Sequence, residues 1–146
     1  MATACSKITP TGFWINYQKD LITKKVNNQG PWGGTIEINW KSNRINYFST
    51  KEILAFAKQN GWQLTDSLIY KKHSIKPFTN YNEKDYSFQL LEIYLKKYNS
   101  TENYVYIFNT DWLLVEPGNE RETNKNGFVV ISSDRKEFAV YHKWGE

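Results

Sequence analysis

Residues 84–98 place the tightest constraint on the fold. Asp85, Gln89, Glu92 and Lys96 recur at helical spacing, while Phe88, Leu90, Leu91, Ile93, Tyr94, Leu95 and Tyr98 fill most other positions of the stretch. A helix with so narrow a polar stripe must bury most of its circumference, and a sheet offers the broad apolar face it needs. Glu92 and Lys96 add a favourable i,i+4 pair on the wet side. A second helix is marked by its ends. Ser49-Thr50-Lys51-Glu52 reads as a capping box, Ile53, Leu54, Phe56 and Ala57 supply an apolar side, and Asn60-Gly61 closes the segment.

The remaining chain carries strand patterns. Ile36, Ile38 and Trp40 alternate with Glu37 and Asn39, which gives one buried and one wet face. Phe128-Val129-Val130-Ile131 is apolar on both faces, as a central strand should be, and a turn across Ser133–Lys136 joins it to a strand over 137–143. Residues 12–18, 62–72, 104–109 and 112–116 read as further strands, Ile45–Phe48 as the return of a short hairpin, and NNQGPWGG (27–34) and 118–127 as loops. Strands, two helices (about 50–60 and 84–98) and then a run of strands predict one α+β domain over residues 12–146 with a mainly antiparallel sheet. Residues 1–11 read as a polar N-terminal tether.

The motif search excludes more than it finds. The chain has no GxSxG elbow, phosphate loop, GxGxxG or HExxH, and its only histidines are His73 and His142. One cysteine, Cys5, excludes a disulfide framework. Neither histidine has a catalytic partner nearby in sequence, and each reads as a surface or hydrogen-bonded residue. Asp111 and Glu116, five apart in an expected strand, would face opposite ways and could not share a substrate. The expectation is a non-enzymatic protein with no catalytic residue, metal or cofactor.

Aromatic content is high, at 16%. Trp40, Trp62 and Trp112 read as core. Trp32, within QGPWGG, and Trp14 stand out as candidate partner contacts, since tryptophan covers much area with few rotatable bonds. Charge is uneven: residues 1–80 hold eleven Lys/Arg against four Asp/Glu, and residues 81–146 hold eight against eleven. Lys24, Lys25, Lys71 and Lys72 are the candidate basic contacts, for an acidic protein partner or a nucleic acid. With only Arg44, Arg121 and Arg135 to read phosphates and bases, nucleic acid is the weaker expectation.

Thr3-Ala4-Cys5-Ser6 resembles the end of a bacterial lipobox, although Met1-Ala2 stand where that signal has a Leu before the Thr-Ala pair. The resemblance implies a lipoprotein anchored through a lipid on Cys5, with its domain on the periplasmic side of the cell envelope; Ser6 would fit outer-membrane sorting. Small lipoproteins of this kind are often binding proteins. The leading expectation is therefore a domain that binds another protein, with immunity against or inhibition of a toxin as its sharpest form. A glycan- or small-ligand-binding module built on the loop aromatics, and a cytoplasmic nucleic-acid-binding domain, are the alternatives.

Overall fold

A computed structural model describes residues 11–42, 47–75, 77, 86–97, 101–118 and 121–145. Its centre is an antiparallel sheet built from β1 (Ile22–Gly30), β2 (Gly33–Lys41), β3 (Gln63–Lys71), β4 (Glu102–Asn109), β7 (Gly127–Ser132) and β8 (Glu137–Gly145), in the order β1-β2-β8-β7-β4-β3. A two-residue β5 (Leu114–Val115) pairs with a two-residue β6 (Glu122–Thr123), and β5 also touches the end of β8. The expected α+β fold with two helices is what the chain adopts.

Strand periodicity sorts the core into two layers. On one face Ile36, Ile38, Trp40, Phe108, Val129, Ile131, Phe138, Val140 and Trp144 pack beneath α1 (Thr50–Gln59), which contributes Ile53 and Ala57. On the other, Val105, Ile107, Phe128, Val130, Ala139 and Tyr141 pack beneath α2 (Tyr86–Lys96), through Phe88, Leu91, Tyr94 and Leu95. β7 serves both layers and every residue from Gly127 to Ser132 is buried, as its unbroken apolar run requires. Both helices lie where their patterns direct. The Ser49 side chain accepts from the Glu52 amide, and Gly61 takes the left-handed conformation that ends the α1 turn (φ +92°).

Several expectations need correction. Residues 12–18 do not form a strand: Gly12–Asn16 is a 3-10 turn and Lys19–Leu21 a second. Together they make a strap across the α1 face. The segment 27–34 is no open loop, because β1 and β2 run through it and leave only Pro31 and Trp32 in the turn. Residues 112–116 keep just two residues of strand, and Asp111 sits in left-handed backbone (φ +63°), so strand geometry does not relate it to Glu116. Of Ile45–Phe48, residues 45 and 46 lie outside the described set, while Tyr47 and Phe48 precede α1 without strand pairing.

Trp14 is likewise corrected. It is fully buried (0% exposed), with its ring 5.2 Å from Phe56, 5.7 Å from Trp62 and 6.0 Å from Trp40. The strap turns its indole inward, where no partner can reach it. Trp32 is 78% exposed at the hairpin tip. Trp14→Ala is therefore expected to cost about 3–5 kcal/mol in urea unfolding, and Trp32→Ala about 0.5 kcal/mol or less.

Candidate functional site

The strands place four chain segments at one end of the sheet: the β1–β2 tip, the end of β8, the start of β7 and the stretch after β4. Gly145, at the end of β8, ties the β1–β2 tip and the stretch after β4 to that strand. It pairs with Gly33, donates its amide to the Leu113 carbonyl at 2.8 Å, and lies so close to the Trp32 carbonyl that a Cβ would collide with it. Its φ of +79° independently favours glycine. Three exposed apolar residues, Trp32, Trp112 (41% exposed) and Leu113 (48% exposed), therefore lie on backbone that converges on Gly145, forming an apolar rim at this end next to the buried Trp144. Trp112 meets Trp144 edge-on at 6.3 Å, and Gly34 leaves room for the Trp144 ring, which a Cβ at that position would approach to 2.7 Å. Trp112 was expected in the core; left-handed Asp111 instead turns its chain outward.

Behind this rim lies a buried polar network. His142 is fully buried, with Nδ1 2.6 Å from the Thr11 hydroxyl and Nε2 3.2 Å from the Thr110 hydroxyl. Thr110 Oγ1 lies 2.7 Å from Asn126 Oδ1. The Asn126 amide nitrogen donates to the Trp112 carbonyl at 2.7 Å and to the Lys143 carbonyl at 2.8 Å.

These bonds fix every proton in the cluster. With both amide hydrogens of Asn126 committed, its oxygen must accept, so the single Thr110 hydroxyl hydrogen goes to it. Thr110 Oγ1 then accepts from the Trp112 amide (3.3 Å) and from His142 Nε2–H. His142 is therefore the neutral Nε2–H tautomer, and its Nδ1 accepts from Thr11. Burial disfavours the imidazolium and pulls the His142 pKa down to about 3. The network has no metal-like character: among the described residues no three His, Cys, Asp or Glu side chains converge. It positions the Trp112–Leu113 segment instead. Sequence reasoning identified a hydrogen-bonded histidine but missed Thr110 and Asn126, which read as loop residues.

The four lysines do not join the rim or each other. Lys24 and Lys25 lie on β1, and Lys71 and Lys72 at the end of β3; these strands form opposite edges of the sheet, five strand spacings or about 24 Å apart. Antiparallel order puts both pairs toward the end away from Trp32. Lys24 is 3.8 Å from Glu37, and the Lys72 amide donates to the Thr101 carbonyl. Lys25 borders a shallow cleft of about 190 Å³ that it shares with Thr11, Ile15, Ile36 and Ile38. His73 is exposed in the turn after β3. Asp134 behaves as a turn residue: the Lys136 amide and then the Ser132 hydroxyl donate to it, holding its carboxyl below the usual range. Cys5 lies outside the described residues. Among those described, no helix is long and apolar enough to cross a membrane.

Comparison with protein-family models, with curated proteins and with solved structures returned no match to this chain.

Asn126→Leu removes the donors to the Trp112 and Lys143 carbonyls and the main acceptor of the Thr110 hydroxyl, leaving that hydroxyl only the long 3.4 Å contact to the Trp112 carbonyl. Each unpaired group costs about 1–3 kcal/mol. The expected loss in urea unfolding is at least about 2 kcal/mol, with increased acrylamide quenching of the Trp112 fluorescence.

Proposed function

We propose that this domain is a protein-binding module whose contact surface is the rim of Trp32, Trp112 and Leu113. The carrying observation is the exposure of two tryptophans and a leucine around one glycine, on backbone that the Asn126–Thr110–His142 network holds rigid. A pre-organised aromatic anchor loses little entropy on binding, which is why such residues dominate interface energetics. The polar groups beneath the rim favour a protein over a glycan. Thr110 and Asn126 are buried and spend their hydrogen bonds inside the fold, so they do not reach out to sugar hydroxyls. Separation of the lysine pairs onto two edges argues against a nucleic-acid track, which needs continuous positive charge. Inhibition or neutralisation of a toxin remains the sharpest form of this reading, with a lipid on Cys5 holding the domain at the envelope.

A photo-crosslinking residue in place of Trp32, with one in place of Lys71 as control, tests the surface in native cells. The position-32 probe is expected to capture a discrete protein that the position-71 probe does not. Against that purified partner, Trp32→Ala and Trp112→Ala should each weaken binding by at least about tenfold, roughly 1.4 kcal/mol or more. Their melting temperatures should stay near wild type. Equal capture from both positions, or unchanged affinity in both variants, would remove the rim as the contact surface. Palmitate-analogue labelling that disappears in Cys5→Ser checks the anchor separately.

A further inference from the structure

The strap on the α1 face is held in an unusual way. It spans Thr11 to Leu21 and covers Trp40, Trp62, Phe56 and Phe138 with Phe13, Trp14 and Tyr17. Among the described residues two side-chain hydrogen bonds fasten it to the rest of the fold: Thr11 to His142 Nδ1, and Trp40 Nε1 to the Tyr17 carbonyl at 2.8 Å. Its internal bonds are short-range, from Trp14 N to Thr11 O, Tyr17 N to Trp14 O and Leu21 N to Gln18 O. The indole nitrogens of Trp14 and Trp62 are buried at this contact without a hydrogen-bond partner among the described residues. The strap is thus held mainly by aromatic packing, with few polar fastenings and three unmet groups at the contact among the described residues, the two indole nitrogens and the Tyr17 hydroxyl.

We propose that residues 11–21 form an acid-released strap for which the Thr11–His142 hydrogen bond is the clasp. In the neutral Nε2–H ring Nδ1 is bare and accepts from the Thr11 hydroxyl. A proton on Nδ1 would require the Thr11 hydroxyl to turn round and accept, and would place a full positive charge on a ring that is completely buried among apolar and uncharged groups. Among the described residues, Trp62 before β3 and Trp144 on β8 pack on the ring, Thr110 meets its Nε2, and Ile36 on β2 and Gly127 on β7 lie opposite it in strand register. None of them is charged. On the strap side Lys25 lines the cleft that Thr11 also borders, and burial is what disfavours the imidazolium.

The direction follows from proton linkage. In the closed state burial holds His142 down to a pKa of about 3. With the strap lifted and the ring wetted, it returns toward its ordinary value of about 6.5. Between those values the open state binds more protons, so closure is strongest above about pH 6.5 and weakens as pH falls. The opening constant rises by up to about tenfold per pH unit in that window. The clasp shares His142 with the network beneath the proposed rim, but its test needs no partner and does not depend on what the rim binds.

The test is an NMR titration of the wild-type chain from pH 7.5 to 4.5. At neutral pH the His142 nitrogen shifts should report the Nε2–H tautomer. On acidification the indole signal of Trp14 should move toward that of free tryptophan while the methyl signals of Leu91 and Val130, beneath α2, stay in place. His142→Gln, which cannot titrate, should remove the acid response of the Trp14 signal. An Nδ1–H tautomer would overturn the clasp. So would titration of His142 near pH 6.5 with Trp14 unmoved, or loss of Trp14 and Leu91 signals together. If the glutamine variant fails to fold, the wild-type titration alone decides among these outcomes.

Discussion

The aromatic end of this domain depends on one uncharged cluster: His142, Thr110 and Asn126, closed on one side by Thr11. Four polar side chains buried within an aromatic core would be costly if any were left short of a partner. Each finds one, and the directions of the bonds agree around the whole chain from Thr11 to the Trp112 and Lys143 carbonyls. A satisfied network of this kind specifies one arrangement and tolerates little error. Gly127 belongs to the same fit: a Cβ there would approach the Trp62 ring to 2.8 Å and strike the Thr110 methyl. The conformation of the exposed Trp112–Leu113 segment is therefore set from beneath.

The two faces of the sheet then have different characters. Beneath α2 the packing is mainly apolar, with Tyr94 stacked on Tyr141 at 4.7 Å and its hydroxyl donating to Asn39. Burial, and then Glu37, push the Tyr141 pKa up to about 12, so it remains an uncharged packing group. Beneath α1 the packing is aromatic and includes the strap, the histidine and the unmet indole donors. The α1 face thus carries the cleft, the strap over residues 11–21 and the support for the exposed rim, while the α2 face secures the fold.

Much of this was legible in the sequence where a local pattern coincided with the final environment. The capping box at Ser49, the alternation at 36–40 and the unbroken run at 128–131 each state their own environment, and the apolar run within 84–98 does so at Phe88, Leu91, Tyr94 and Leu95, though Ile93 of the same run is exposed because α2 covers the sheet with one face only. Legibility failed where burial was decided by distant residues. Gly12–Gln18 offers an apolar run too short to separate a strand from a 3-10 turn, and Trp14 is buried by Trp40, Phe56 and Trp62. The polar stretch 27–34 reads as a loop because an exposed edge hairpin needs no apolar alternation. Trp112 sits next to Leu113-Leu114-Val115, yet a single left-handed residue at Asp111 turns it toward solvent. His142, Thr110 and Asn126 belong to three separate segments, and only the strand register brings them together.

Backbone hydrogen exchange at neutral pH tests the central claim, that the buried network holds the aromatic rim rigid. The decisive amides are Trp112, which donates to the Thr110 hydroxyl, and Gly145, which donates to the Leu113 carbonyl. Protection of both approaching that of the β7–β8 amides is the predicted result. Exchange at the rate of an unstructured chain, with β7–β8 still protected, would contradict it.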